Sequence, residues 1–308
     1  MISDRTGEIV KDFHVLGLAW SPVFLLDGAT PLLFESGFSC ATKLYEADLT
    51  AVLGARNPEF LFITHVHWDH CGAAGNLKTR FPSLKIGASP RAGEIVQRPN
   101  ALSLIKKLSE EVLPVVASVP EIDATRLSAN AFQPFLVDRC LRDGEVIRVE
   151  GMPAVEVVAT PGHTRDHLSY FIPDRGILVA TEACGCLDKA GKIITEFLID
   201  YEAYILSLSK LATLHAEVLC QGHHYVFVGR NEVARFLTQS REEAERFRDR
   251  VYELLDETGS QEEVVARIKA DQWDSNTGLK QAVGAYLINL RTRVGHLSET
   301  KRKGNISA

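Results

Sequence analysis

Four side chains able to ligate a metal within six residues constrain this chain more than any other feature: His65-Val66-His67-Trp68-Asp69-His70. Neutral imidazoles and carboxylates suit zinc, iron or manganese. Ligands so close in sequence converge only from a loop that turns them in different directions. The run follows Phe60-Leu61-Phe62-Ile63, a short apolar stretch that reads as a buried strand delivering a polar loop. A lone histidine is ordinarily a surface or hydrogen-bonded core residue; four candidate ligands after a buried strand read as a site.

The rest of the chain supplies a scaffold of alternating strands and helices. Strands are expected at Phe13 to Trp20, Ser21 to Leu26 and Pro31 to Glu35, with Asp27-Gly28 suited to a tight hairpin turn at positive φ. Further strands fit Leu84 to Ala88, Ala154 to Ala159, Leu168 to Ile172, Gly176 to Ala180 and Val218 to Cys220. Helical periodicity runs from Ala101 to Leu113, where Pro114 supplies a stop, and from Tyr201 to Leu214. From Asn231 the sequence turns charged and helix-favouring, so residues 1–230 are expected to form one α/β domain and 231–308 a helical region. The tail Lys301-Arg302-Lys303-Gly304 is expected to fray.

Composition narrows the partners. A net charge of −6 over 308 residues, with both signs mixed along the chain, gives no basic footprint for a phosphate backbone, so nucleic acid is not expected. The first residues lack an apolar segment behind a basic start, and no stretch approaches the roughly 18 apolar residues of a membrane span. The expectation is a cytoplasmic protein acting on a small molecule without a membrane, with a homodimer admissible. Six scattered cysteines show no disulfide framework and read as packed thiols, including Cys71 after the cluster and the Cys184-Gly185-Cys186 triplet.

The pattern His-x-His-x-Asp-His resembles the signature of the metallo-β-lactamase superfamily, and matching segments follow in the family's order. Thr160-Pro161-Gly162-His163-Thr164 is similar to its next ligand loop and Gly222-His223 to its last. The resemblance implies an αββα sandwich with the site on loops at one edge. It also implies that His65, His67 and His163 hold one divalent ion and that Asp69, His70 and His223 hold a second. An acidic residue after the strand Gly176 to Ala180 would bridge both. The family's usual Asp is Glu182 here, and Thr181 stands where Gly is common, which leaves both a full two-metal site and a weakened second site open. His167 is expected to orient the His163 loop, His224 to be exposed, and His14, His215 and His296 to be structural.

Two metals sharing a water lower its pKa toward neutrality and give a hydroxide nucleophile without Ser or Cys. Asp69 is the residue placed to orient that water or take its proton. Within the superfamily, blocks such as Pro22-Val23-Phe24-Leu25-Leu26, Gly162-His163-Thr164-Arg165-Asp166-His167 and Glu202-Ala203-Tyr204 resemble the branch of 2-aminobenzoylacetyl-CoA thioesterase. That resemblance implies hydrolysis of an acyl-CoA-like thioester and C-terminal helices that cover the site. Lactone or phosphodiester hydrolysis, and a binding protein with weak catalysis, stay open.

Overall fold

The computed structural model describes residues 1–275 and 283–306. Among them, two seven-stranded sheets pack face to face. The first runs Gly7–Val10, Phe13–Leu18, Ser21–Leu26, Leu32–Phe34, Phe60–Phe62, Lys85–Ala88 and Arg139–Cys140. It is antiparallel as far as Leu32–Phe34 and parallel thereafter. The second runs Ile2–Ser3, Val226–Val228, Val218–Cys220, Ile177–Val179, Leu168–Ile172, Val155–Ala159 and Val146–Ile147, with one parallel pair at its centre.

The apolar runs are continuous because both faces of each sheet are covered. Phe24, Leu26, Leu32, Phe34, Phe60 and Phe62 meet Tyr170, Ile172, Ile177 and Val179 between the sheets. Their neighbours Val23, Leu25, Leu33 and Leu61 point the other way, onto helices that include Thr42–Leu53 and Ala74–Arg80. On the far side, Leu178, Leu219 and Phe227 pack against Tyr204 and Leu208 of helix Tyr201–Ala212. Period-two alternation thus builds three apolar layers, and the sandwich is αββα. Tyr170 crosses between the sheets, its buried hydroxyl donating to Ile63 O at 2.6 Å beside the His65 loop.

Helices Arg230–Thr258, Gln261–Lys269 and Val283–Ile306 form the C-terminal region. Phe236, Phe247, Val251, Val264, Leu290 and Val294 join the core outside the second sheet, so this region shares a core with the sandwich. None of the described helices is long and apolar enough to cross a membrane.

Three local expectations are corrected. Strands Ser21–Leu26 and Leu32–Phe34 do pair, but across a longer loop in which Gly28 is not at positive φ. That glycine is needed for space, since a Cβ there would meet Met152 Sδ at 2.5 Å. Pro114 lies in the first turn of a further helix, Leu113–Ala117, where its missing N–H costs nothing. The basic tail continues a helix to Ile306, and Lys301 pairs with Asp256 at 2.6 Å, so it does not fray there.

Candidate metal centre

The candidate ligands sit on loops at the C-terminal ends of strands. Beyond Phe60–Phe62 the chain carries His65 and His67, then enters the short helix Trp68–Cys71, which turns Asp69 and His70 away from the first two. His163 follows strand Val155–Ala159, Glu182 follows Ile177–Val179, and His223 follows Val218–Cys220. Gly162 lets the His163 loop lie against helix Tyr201–Ala212, because a Cβ there would meet Tyr204 Cα at 2.5 Å.

The seven residues singled out as ligands converge. His67 Nδ1 lies 3.0 Å from His65 Nε2 and 3.2 Å from His163 Nε2. Asp69, His70 and His223 make a second group, each group's ligand atoms falling within 4.8 Å of one another. Glu182 stands between the groups. Its Oε2 is 3.7 Å from His65 Nε2, while its Oε1 is 3.0 Å from His70 Nε2 and 2.6 Å from His223 Nε2. Although 3 % exposed, Glu182 has no hydrogen-bond partner for either oxygen. A buried carboxylate this close to three imidazoles, with no hydrogen bond of its own, fits a donor set facing a shared cation.

Outward contacts support that fit. His163 Nδ1 donates to Glu196 O at 2.7 Å, His223 Nδ1 donates to Trp20 O at 2.7 Å, and His70 Nδ1 is held by the Glu35 carboxylate. Each contact turns Nε2 inward, the arrangement by which surrounding groups fix ligand histidines. His67 is the exception and turns Nδ1 inward.

Electrostatics divide the two groups. Burial holds His65, His67 and His163 below the usual imidazole range, reinforced for His65 and His67 by neighbouring histidines, so the first group is neutral at pH 7. Burial also acts to lower His70 and His223, but the carboxylates overcome it. Glu182, Asp69 and Glu35 raise His70 well above its usual value, and Glu182 with Asp69 raises His223 to about 9. Glu182 itself, despite burial, is held well below the ordinary carboxylate range by His70 and His223.

Several supporting residues were not expected. Glu35, 1 % exposed and at φ +64°, accepts the Thr64 N–H at 2.8 Å with one oxygen and holds His70 with the other. Asp166 accepts the Val66 N–H at 2.9 Å. The C-terminal helix reaches the centre too: Asn289 Nδ2 donates to Glu196 Oε1 at 2.7 Å, and Arg293 donates to Thr195 O at 3.0 Å. The one local sign of Glu35 is its place directly after the apolar run Leu32-Leu33-Phe34; nothing local marks Asn289 or Arg293.

Other expectations change. His167 bonds Thr160, the first residue of the His163 loop, and Thr181; its ring stacks on His65 and lies edge-on to His163 at 6.2 Å. His224 is partly buried, which pushes its pKa down to about 4, and so is not simply exposed. His296 is structural, its Nε2 accepting the Tyr201 N–H. Cys71 and Cys184 are buried, whereas Cys140 is exposed rather than packed.

Comparison with known proteins gives this geometry its family. The sequence pattern of the metallo-beta-lactamase superfamily matches residues 21–223. The chain belongs to that superfamily. It is 27% identical to a beta-lactamase-like protein 2 homolog of Caenorhabditis elegans, over 64% of this chain and 52% of that protein. It is 32% identical to a hydroxyacylglutathione hydrolase of Fuscovulum blasticum over 36% of this chain and 44% of the relative. A hydroxyacylglutathione hydrolase of Haemophilus influenzae is 28% identical over 57% of this chain and 74% of its own length. The chain thus spans about half the length of the first of these relatives. A metallo-beta-lactamase family protein of Thermus thermophilus shares the fold at a TM-score of 0.61 and 19% identity, covering 97% of this chain and 92% of its own.

Proposed function

We propose that this chain is a hydrolase working with two divalent ions, and that its substrate is an acyl thioester. The observation that carries the reading is Glu182, a buried carboxylate with no hydrogen-bond partner whose two oxygens face one ligand group each. His65, His67 and His163 would hold the first ion, and Asp69, His70 and His223 the second. Once bound, such ions polarise a scissile carbonyl and lower the pKa of a water between them.

The chain's own residues supply orientation. Asp69 Oδ2 lies 3.7 Å from His223 Nε2 and 3.9 Å from His70 Nε2, and its carboxylate is partly exposed, so it is placed to orient a water or accept its proton. Trp68 and Trp20 flank Phe38 in an aromatic cluster beside the centre, with ring separations of 5.1 and 5.0 Å. Helix Val283–Ile306, tied to the Glu196 loop, would cover the site. Relatives named hydroxyacylglutathione hydrolases support a thioester, since an acyl group on glutathione is one. The resemblance to the 2-aminobenzoylacetyl-CoA thioesterase branch favours an acyl-CoA-like substrate.

Elemental analysis of the purified protein, joined to a panel of acyl-CoA, acyl-glutathione, lactone and phosphodiester substrates, tests this. Two ions per chain and turnover of a thioester are expected. Bound metal without turnover of any substrate would favour a binding role, and turnover of lactone or phosphodiester alone would overturn the thioester.

A further inference from the structure

We propose that Thr181 and His167 are positioning residues that hold the ring of His65 and the placement of Glu182 through one buried chain of hydroxyl and imidazole groups. The inference rests on the reading of His65 and Glu182 as metal ligands. The chain runs through six side chains. Ser169 Oγ lies 2.8 Å from Thr160 Oγ1, which lies 2.9 Å from His167 Nδ1. His167 Nε2 lies 2.8 Å from Thr181 Oγ1, whose hydroxyl donates to Thr64 Oγ1 at 3.2 Å, and Thr64 Oγ1 is 3.0 Å from His65 Nδ1. None of the six is more than 1 % exposed, so no solvent competes for these bonds.

Donor accounting gives the chain a direction. For His65 Nε2 to present a lone pair inward, its proton must sit on Nδ1 and be donated to Thr64 Oγ1. Thr64 Oγ1 then accepts from both His65 and Thr181, and in the other tautomer the Thr64 hydroxyl donates to Nδ1 while still accepting from Thr181. Thr181 accepts from His167 Nε2–H, and His167 Nδ1 accepts from the Thr160 hydroxyl, which accepts in turn from Ser169. Without the Thr181 hydroxyl, Thr64 loses the partner that anchors its Oγ1 beside His65 Nδ1. His167 is also a candidate ligand by proximity, grouped with His65 and Glu182, but both its nitrogens are already engaged.

Thr181 acts on Glu182 through the backbone. It is a β-branched residue at φ +44°, a conformation that costs about 1–3 kcal/mol and persists only where its surroundings hold it. The two bonds at Oγ1 provide that hold. The left-handed residue turns the chain out of strand Ile177–Val179 immediately before Glu182. It also packs on the ligand loop opposite, where a Cβ on Gly222 would meet Thr181 Cβ at 3.0 Å.

Zinc affinity, measured by chelator competition on the full chain, tests the inference with four variants. Thr181→Val keeps the shape and removes the hydroxyl, and is expected to weaken zinc binding about 10- to 100-fold. Thr181→Ser should restore it to within a few-fold. Thr181→Gly relieves the backbone, so the metal-free chain should melt no lower than wild type while still losing affinity. His167→Phe keeps the stacking on His65 and should match Thr181→Val, with the double variant no worse than either alone. Wild-type affinity in Thr181→Val or Thr181→Gly overturns the inference alone, whereas a wild-type chain that takes up no zinc overturns the metal reading beneath it.

Discussion

The His65, His67 and His163 group and the Asp69, His70 and His223 group use similar donors but are prepared differently. Burial keeps the first group's imidazoles neutral, so its lone pairs are ready for a cation. Carboxylates hold the second group's imidazoles toward protonation, so a cation entering there must displace protons. The first site is thus set by desolvation and the second by charge, and Glu182 faces both.

The largest effect should come from removing the residue common to both short contacts of the first group. His67→Ala is expected to abolish binding of one ion and cut turnover by about a thousandfold, the scale of losing a leading electrostatic contributor. Turnover assays and metal content read this together, and full activity with normal metal content would show that the site lies elsewhere. Glu182→Gln should come next. It keeps the side chain's size but removes the charge facing both groups, so metal content should drop from two ions toward one while the first group still binds. Glu182→Asp, one methylene shorter, should retain two ions more weakly; if Glu182→Gln leaves content and affinity unchanged, Glu182 does not bridge.

Acidity sharpens the contrast because the two groups titrate with opposite signs. For the second group, folded values lie above the ordinary 6.5, at about 9 for His223. Its contribution to metal-free stability is therefore complete below about 6.5 and lost as the pH rises through about 9. For the first group, folded values lie below 6.5, so its contribution is present above 6.5 and is lost as the pH falls. Melting temperatures of the metal-free chain should thus be highest near pH 6.5, on either side of which one group's contribution falls away. Affinity for the second ion should rise about tenfold per pH unit for each proton displaced between pH 7 and 9, with the first nearly flat. Equal slopes at both sites would erase the distinction.

Much of this candidate centre is legible because its candidate ligands obey local rules. The run from His65 to His70 announces itself by spacing, and the apolar stretches before it and before His163, Glu182 and His223 become strands within a residue or two of expectation. What stayed hidden depends on pairing between distant segments. Glu35 meets His70 because strands Leu32–Phe34 and Phe60–Phe62 lie parallel, a register that no local pattern encodes. Thr181 stands where Gly is common in the family, but the positive φ it adopts there shows only in the structure. Asn289 lies on a helix whose charged, periodic sequence reveals its secondary structure but not its contact with Glu196. His167 bonds the His163 loop at Thr160, but its second bond, to Thr181, links it to a segment that no local pattern places beside it.

Glu35→Gln separates the groups more finely. The Glu35 carboxylate accepts from both Thr64 N–H and His70 Nδ1–H, whereas an amide that accepts from Thr64 turns its own N–H₂ toward His70. His70 Nδ1 must then become the acceptor, and its proton moves to Nε2, the ligand atom. Affinity for the second ion should fall about 10- to 100-fold with the first little changed. Equal losses at both sites would instead mean that Glu35 supports the whole loop through Thr64.

The smallest effect should fall on the first group alone. Asn289 does not touch a candidate ligand; it donates to the Glu196 side chain, and the Glu196 carbonyl accepts from His163 Nδ1. Asn289→Ala deletes one hydrogen bond, worth about 1 kcal/mol, or roughly a fivefold change if all of it reaches the metal. Because Arg293 still donates to the neighbouring Thr195 carbonyl, part of the loop's restraint survives and the observed loss should be smaller. Calorimetric titration of both ions should show a modest weakening at the site that His163 serves and none at the other. A loss confined to the second site would mean that the C-terminal helix acts on the centre by a route other than the Glu196 loop.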